Sequence, residues 1–487
     1  MTLGLLILVS VGKENVYLSA QPEITFFKIA YRRYTNFSIE PTPQYFKTSP
    51  DFGRRCTVNI GKNADLLGIT YLYVELPNIQ MENISNITKK FAWVNKIGLA
   101  LINFIEIEIG GTIIDRHYGD WLNIWYEMTV NMGLKRSYNR MIGNIPELTN
   151  FTQTKDSIIL YIPFSFWFCN DTGLALPLVA LLHNDVKIHV EFNDINLCYK
   201  VSPSHYIKIN NNYCIYNPGE KIYQNYQNSK NIGEFIYFDA ITQQLYYNPI
   251  KGTFVIPTIE NDPNLSIIGE TTKFISYINT KSIVVQDNDF FKFNPPSLNT
   301  AYLLTNYIYL DNFERNKFLS NSHEYLIQTI QNLPQQYIGS LNASYKLDLI
   351  NPIKLIVWRA ILTSNQNNND QFNYTDNNDN LINKNSVIIN SVNRMELSSN
   401  EYYTLIQKYQ YKFINTQKGI FFYSFSLNPL DLQPSGSLNF SKIDDAYIQF
   451  SMNRNVNYQN TISVICYAIE YNLLRTYNGI GGLGFNN

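Results

Sequence analysis

The stretch Val186–Phe192, VKIHVEF, decides the fold class. Val186, Ile188, Val190 and Phe192 fall on one side of a two-residue repeat, with Lys187, His189 and Glu191 on the other. An extended strand segregates residues in this way and a helix does not. Ile105–Ile109, IEIEI, has the same pattern, with Glu106 and Glu108 opposite three isoleucines. Both stretches predict strands with one face against a core. The composition agrees: 37 Tyr, 29 Phe and only 16% charged residues suit pleated, half-buried surfaces. The expected class is all-β, broken by Gly110-Gly111, Asn217–Gly219 and Pro434–Gly436 turns.

Four β-type blocks recur in order along the chain. Thr70–Glu75 corresponds to Asn306–Asp311, each followed by a patch able to form a short helix, from Trp93 and from Phe313. Leu101–Ile109 corresponds to His323–Ile330, and Tyr161–Phe168 to Ile420–Leu427. After Pro177 and Pro434 comes an alternating strand ending on Phe192 or Phe450. Ordered recurrence implies one fold used twice. At 487 residues and 56.6 kDa the chain is long for one core, which agrees with two β domains. Pro, Asn and Gly cluster between Ser202 and Gly219, so the expected division is an arm over 1–23, a first domain over 24–212 and a second over 213–487.

Asp120–Thr129 predicts a helix, with Trp121, Ile124, Trp125 and Met128 on one stripe and Asp120 at the N-cap. Glu260–Asn299 and the Asn/Asp-rich run Thr363–Lys384 are expected to be long surface insertions, the second exposed and mobile because it holds little to bury. Leu3–Val11 is apolar but lacks a basic flank and a small-residue cleavage site, and is too short to span a bilayer. It is expected to be a retained arm that buries itself on its own barrel or on a neighbouring copy.

A net charge of -1 gives no basic footprint for nucleic acid, and Arg32-Arg33 and Arg54-Arg55 are isolated pairs. Cys56, Cys169, Cys198, Cys214 and Cys466 have no CxxC spacing, which argues against a zinc site or a disulfide framework and for a reducing setting. Asp115–Asp120, DRHYGD, is the densest group of catalytic types, but no nucleophile elbow accompanies it and caps and ion pairs use the same residues. His183 and Asp185 lie close to His189, but His183 belongs to a turn and His189 to the polar face of a strand, so a third metal ligand would have to come from elsewhere. No phosphate-binding or hydrolase glycine motif is present, and Gly479–Gly484 opens no helix. The sequons at Asn83, Asn86, Asn150, Asn170 and Asn342 are expected from chance in an Asn-rich chain. The Phe164–Phe168 and Phe421–Phe425 clusters could stack sugars but read better as core strands. The expectation is no catalytic, cofactor-binding or metal-binding residue, and no enzyme.

With these blocks in view, the chain resembles the major capsid proteins of large nucleocytoplasmic DNA viruses, the iridovirus, phycodnavirus and mimivirus-like group. The resemblance runs over nearly the whole chain. It is carried by Ile24–Phe37, ITFFKIAYRRYTNF, by Glu108–Gly111, Asp115–Trp121, Leu174–Ala180 and Ser322–Ile327, by Gln433–Gly436 with Asn439–Ser441, and by Gly479–Gly484. It departs in the Asn-rich loops. The resemblance implies a double jelly roll, two tandem eight-stranded antiparallel β-sandwiches with short helices and long surface loops. It further implies a homotrimeric, pseudo-hexagonal capsomer tiling an icosahedral outer shell. Its partners would be its own copies, neighbouring capsomers and minor capsid or cement proteins, with the arm near an inner membrane or minor proteins and no direct nucleic acid. The place would be the virion capsid, with synthesis and assembly in the host cytoplasm. Alternatives are a minor capsid or penton-like paralogue on the same fold and, from another class, a carbohydrate-binding or hydrolysing β-sandwich.

Overall fold

The computed structural model describes residues 2–80, 90–226, 229–252, 254–255, 263–280, 282–284, 295–376, 379–393, 398–414, 417–453, 456–458 and 461–485. Sixteen of its strands form two sandwiches. In the first they are β1 (Phe37–Gln44), β2 (Arg55–Asn59), β3 (Leu66–Glu75), β4 (Ile102–Ile109), β5 (Thr112–Tyr118), β6 (Ile159–Pro163), β7 (Val186–Phe192) and β8 (Thr300–Leu310). In the second they are β9 (His323–Asn332), β10 (Asn342–Lys346), β11 (Pro352–Leu362), β12 (Ile382–Ile389), β13 (Val392–Asn393), β14 (Ile420–Ser424), β15 (Ala446–Met452) and β16 (Ile462–Tyr477).

The first sandwich has sheet orders β1-β8-β3-β6 and β2-β7-β4-β5, and the second β9-β16-β11-β14 and β10-β15-β12-β13. Adding eight to each strand of the first sandwich gives the second. All these pairings are antiparallel, and short extra strands extend several sheets. The chain is therefore a double jelly roll.

Two of the four expected correspondences hold at the level of strands: Tyr161 and Ile420 lie on equivalent β6 and β14, although β6 ends at Pro163 and Trp167–Asn170 is helical, and Phe192 and Phe450 lie on equivalent β7 and β15, although β15 runs on to Met452. The other two do not. Thr70–Glu75 and Asn306–Leu310 belong to β3 and β8, adjacent strands of one sheet in which Tyr73 faces Tyr302. Their alternation agrees because paired strands share the same two faces. The true counterpart of β3 is β11, and that of β4 is β12 rather than β9.

This placement also corrects the boundary expected after residue 212. Between β7 and β8 the chain leaves the sandwich to build a seven-stranded antiparallel module, centred on Lys221–Tyr226, Ser229–Asp239 and Gln244–Lys251, and then returns. The module buries its own core of Ile207, Ile222, Phe235, Leu245, Tyr247 and Ile267. The turn cluster near residue 212 opens this insertion, and the passage between sandwiches is the helix Asn312–Ser320. The described part of Glu260–Asn299 supplies three of the module's strands: Ile267–Gly269 and the two edge strands Ile275–Ser276 and Ile283–Val284.

The Asn-rich run is not free of anchors either. Phe372 and Tyr374 are buried in the main core, and Asn369 and Gln371 donate to backbone carbonyls of Asn196, Tyr199 and Leu197 in the first half. Two aromatics suffice to fix a segment whose average composition is polar. Among the described residues of the N-terminal arm, with α1 at Leu3–Val9, no side chain is buried in the single chain. Among the described residues no helix is long and apolar enough to cross a membrane.

β11 and β16 are buried on both faces. Ile356, Trp358, Ala360, Val464, Cys466 and Ala468 face the second sandwich's own core. Leu355, Val357, Ile361, Ile465, Tyr467 and Ile469 join the core of the first. The outer face of the β9-β16-β11-β14 sheet is thus the surface on which the two sandwiches meet.

Candidate functional site

The first-sandwich side of that meeting surface is α2, Gly119–Thr129, which follows β5. Gly119 permits the sharp change from strand to helix, since a Cβ there would lie within 2.5 Å of the Ile102 carbonyl oxygen. Asp120 is not the N-cap expected from the sequence; Tyr118 holds that place and no side chain caps the helix. The Asp120 carboxylate is drawn across the seam instead. It accepts from Arg359 Nε of β11 at 2.8 Å, from Tyr467 OH of β16 at 3.3 Å, and from Tyr374 OH. Burial, reinforced by the Asp120 charge, pushes the phenols of Tyr374 and Tyr467 well above their usual range, so both remain donors.

The network continues into the first sandwich. Asn123 donates to Tyr374 OH at 3.0 Å and accepts from Lys96, whose ammonium also reaches Glu127 at 2.7 Å. Burial lowers the Lys96 pKa, with the Glu127 charge opposing it. Around these polar groups Trp121 packs on Tyr467 at 5.3 Å and stacks on Trp125 at 5.6 Å. Sliding the two surfaces past one another would leave these buried groups without partners, which is costly.

Asp115 and His117 do come together, with Nε2 and Oδ2 2.9 Å apart, but both are buried and the imidazole lies on the Phe166 ring. Asp115 Oδ1 accepts the backbone N–H of Ile330 in β9 at 3.0 Å, a second tie across the seam. A substrate has no approach to this pair. His183 and Asp185 are exposed in a turn, while His189 is held between Thr57 at 2.8 Å and Glu108 at 2.9 Å on the sheet's polar face. On that face Glu106 is fully buried beneath Arg55 and Arg116, with which it pairs. Among the described residues no group of three His, Cys, Asp or Glu is placed to hold a metal ion.

Gly479–Gly484 is structural as well. Asn478 and Gly479, both at positive φ, turn the chain from β16 into the strand Ile480–Leu483, and Gly479 O accepts the His183 N–H at 2.9 Å. The five cysteines are free thiols, and burial pushes Cys169 up to about 12 and Cys214 up to about 11. Asn150, Asn170 and Asn342 are exposed, while Asn83 and Asn86 lie outside the described residues. The Phe166–Phe168 and Phe421–Phe422 rings are core residues. What the sequence reading missed is the seam. Arg359 inside the apolar run of β11 was its one visible signal, a charge in a strand otherwise without one beyond Lys354.

Comparison with known proteins agrees with this geometry. A family model described as major capsid protein N-terminus matches residues 25–239, and one described as large eukaryotic DNA virus major capsid protein matches residues 314–482. The chain is 35% identical to probable capsid protein 4 of Acanthamoeba polyphaga mimivirus, covering 99% of each. It is 30% identical to the major capsid protein of Phaeocystis pouchetii virus, again over 99% of each. Among solved structures, the Faustovirus major capsid protein superposes with a TM-score of 0.68 at 12% identity, over 93% of each chain. A chain of the PBCV-1 virus capsid does so with 0.62 at 22% identity, over 95% of this chain and 100% of that one. At these identities the two structures speak for the fold.

Proposed function

Because the chain belongs to the major capsid proteins of large eukaryotic DNA viruses, we propose that it acts as a homotrimeric, pseudo-hexagonal capsomer tiling an icosahedral shell. One observation carries this reading. Two sandwiches of identical strand order are locked side by side by a buried seam, so three copies in a closed ring present six similar blocks. Its work is done by flanks rather than by a reactive pocket, and the acid-base candidates are occupied as internal ties. Neighbouring capsomers and minor capsid proteins are its partners, and assembly proceeds in the host cytoplasm.

Size-exclusion chromatography with light scattering on the purified chain tests the proposal. A mass of three times 56.6 kDa is expected. A stable monomer with glycan-hydrolysing activity would overturn it. Copy number in purified particles separates the principal shell role from that of a minor or penton-like paralogue, because the former must dominate the particle mass.

A further inference from the structure

Each sandwich carries the same two flanks: the outer face of its β1-β8-β3-β6 or β9-β16-β11-β14 sheet, and the helix that follows β5 or β13. Within the chain one of each is used, as the outer face of the second sandwich closes on α2 of the first. The other two flanks are uncovered over most of their extent, although Ala175 and Phe318 close the end of the first sandwich's face at Leu66 and Ile308. On the first sandwich, Tyr45, just past the end of β1, forms a row with Tyr302, Tyr73 and Tyr161 of the adjacent strands β8, β3 and β6, with ring centroids 5.5, 4.3 and 5.3 Å apart. Exposed Ile69 and Ile159 flank this row, and Tyr45 is 68% exposed. On the second sandwich, the segment following β13 winds into the helical turns Tyr402–Ile406 and Gln407–Gln410. Its inner side is fixed, with Tyr403 buried against Trp358 and Gln407 accepting the Ser424 N–H. Its outer side presents Leu405, Ile406 and Tyr409, the last 90% exposed.

We propose that the tyrosine row of one copy receives the Tyr402–Gln410 helix of a second copy, repeating between chains the contact that α2 makes within one. The occupant follows from the internal duplication: the open face is the equivalent of a face already covered, and the open helix is the equivalent of the element covering it. A contact between unlike surfaces closes a ring or propagates, and six like contacts, three within and three between chains, close it. Tyrosine is suited to such an interface, offering a large apolar ring with a polar tip. This inference rests on the capsomer reading and adds which surfaces meet.

The test uses the full chain and two single variants at exposed positions, Tyr161→Lys and Tyr409→Lys. Light scattering should give the trimer for the unaltered chain and monomers for each variant that keep its far-UV circular dichroism spectrum, with a lower melting temperature because assembly stabilises the folded chain. Mixing the two variants leaves one intact face and one intact helix, so it should give a two-chain species and no trimer. An unaltered chain that stays monomeric defeats the capsomer reading itself. A trimeric unaltered chain whose variants both remain trimers overturns this pairing of surfaces alone. Hydroxyl-radical footprinting of the unaltered trimer needs no substitution: Tyr161 and Tyr409 should both be protected relative to the diluted chain, and free oxidation of Tyr409 in the trimer overturns the proposal.

Discussion

Asp120 joins three side chains from the other sandwich to one carboxylate, in a setting where Arg359 is almost fully buried. Removing one partner of such a pair leaves the other charge desolvated without compensation, an effect of about 3–5 kcal/mol. Asp120→Ala should therefore lower the urea midpoint sharply, while Arg359→Met added to it should recover part of the loss, since an apolar side chain suits the surrounding Val357, Ile361 and Ile465. If the double variant is no better than the single one, the charge on Arg359 is not what the carboxylate compensates. Asp115 has a milder role. It accepts the Ile330 N–H across the seam, so Asp115→Asn, which keeps an acceptor, should cost less than Asp120→Ala in the same titration.

α2 shows what a sequence pattern can and cannot carry. Its stripe of Trp121, Ile124 and Met128 is buried, as periodicity predicts, and Trp125 is half-buried against Trp121. Replacing both tryptophans with Ala should cost several kcal/mol and reduce the yield of assembled protein; unchanged melting would show that the seam does not depend on them. Gly119→Ala should also destabilise, because the added Cβ would collide with the backbone carbonyls of Leu99 and Ile102 rather than with movable side chains. The helix was legible because a 3.6-residue stripe needs only local order. β4 and β7 were legible because each has one face of polar side chains, buried in part under paired charges such as Arg55 and Arg116 over Glu106. β11 and β16 have no such face, so nothing in their composition says which side chains serve which core. Tyr374 is hidden in the same way: its surroundings are polar in sequence, and its partners Asp120 and Asn123 lie about 250 positions away. The mistaken match of β3 with β8 is instructive, since period and aromatic content report a strand's faces and not its place in the sheet.

The sandwiches share a core through β11 and β16, whereas the inserted module keeps its own. Units with a common core unfold together and a separate core can open alone, so calorimetry should show one principal transition for both sandwiches and another for the module. His205 makes the second selectively sensitive to acid. It pairs with Tyr247 in the module's sheet, its ring meets the Ser204 hydroxyl at 2.9 Å, and burial lowers its pKa from 6.5 to about 4. Between those values the unfolded chain binds a proton that the folded chain refuses, so stability falls as the pH drops from 6.5 towards 4, by about 3 kcal/mol in all. The module transition should move down over that interval while the sandwich transition responds less. His205→Phe, which cannot bind the proton, should remove most of the displacement. Equal movement of both transitions in the variant and the unaltered chain would show that the module is not an independent unit and that His205 does not govern its acid response.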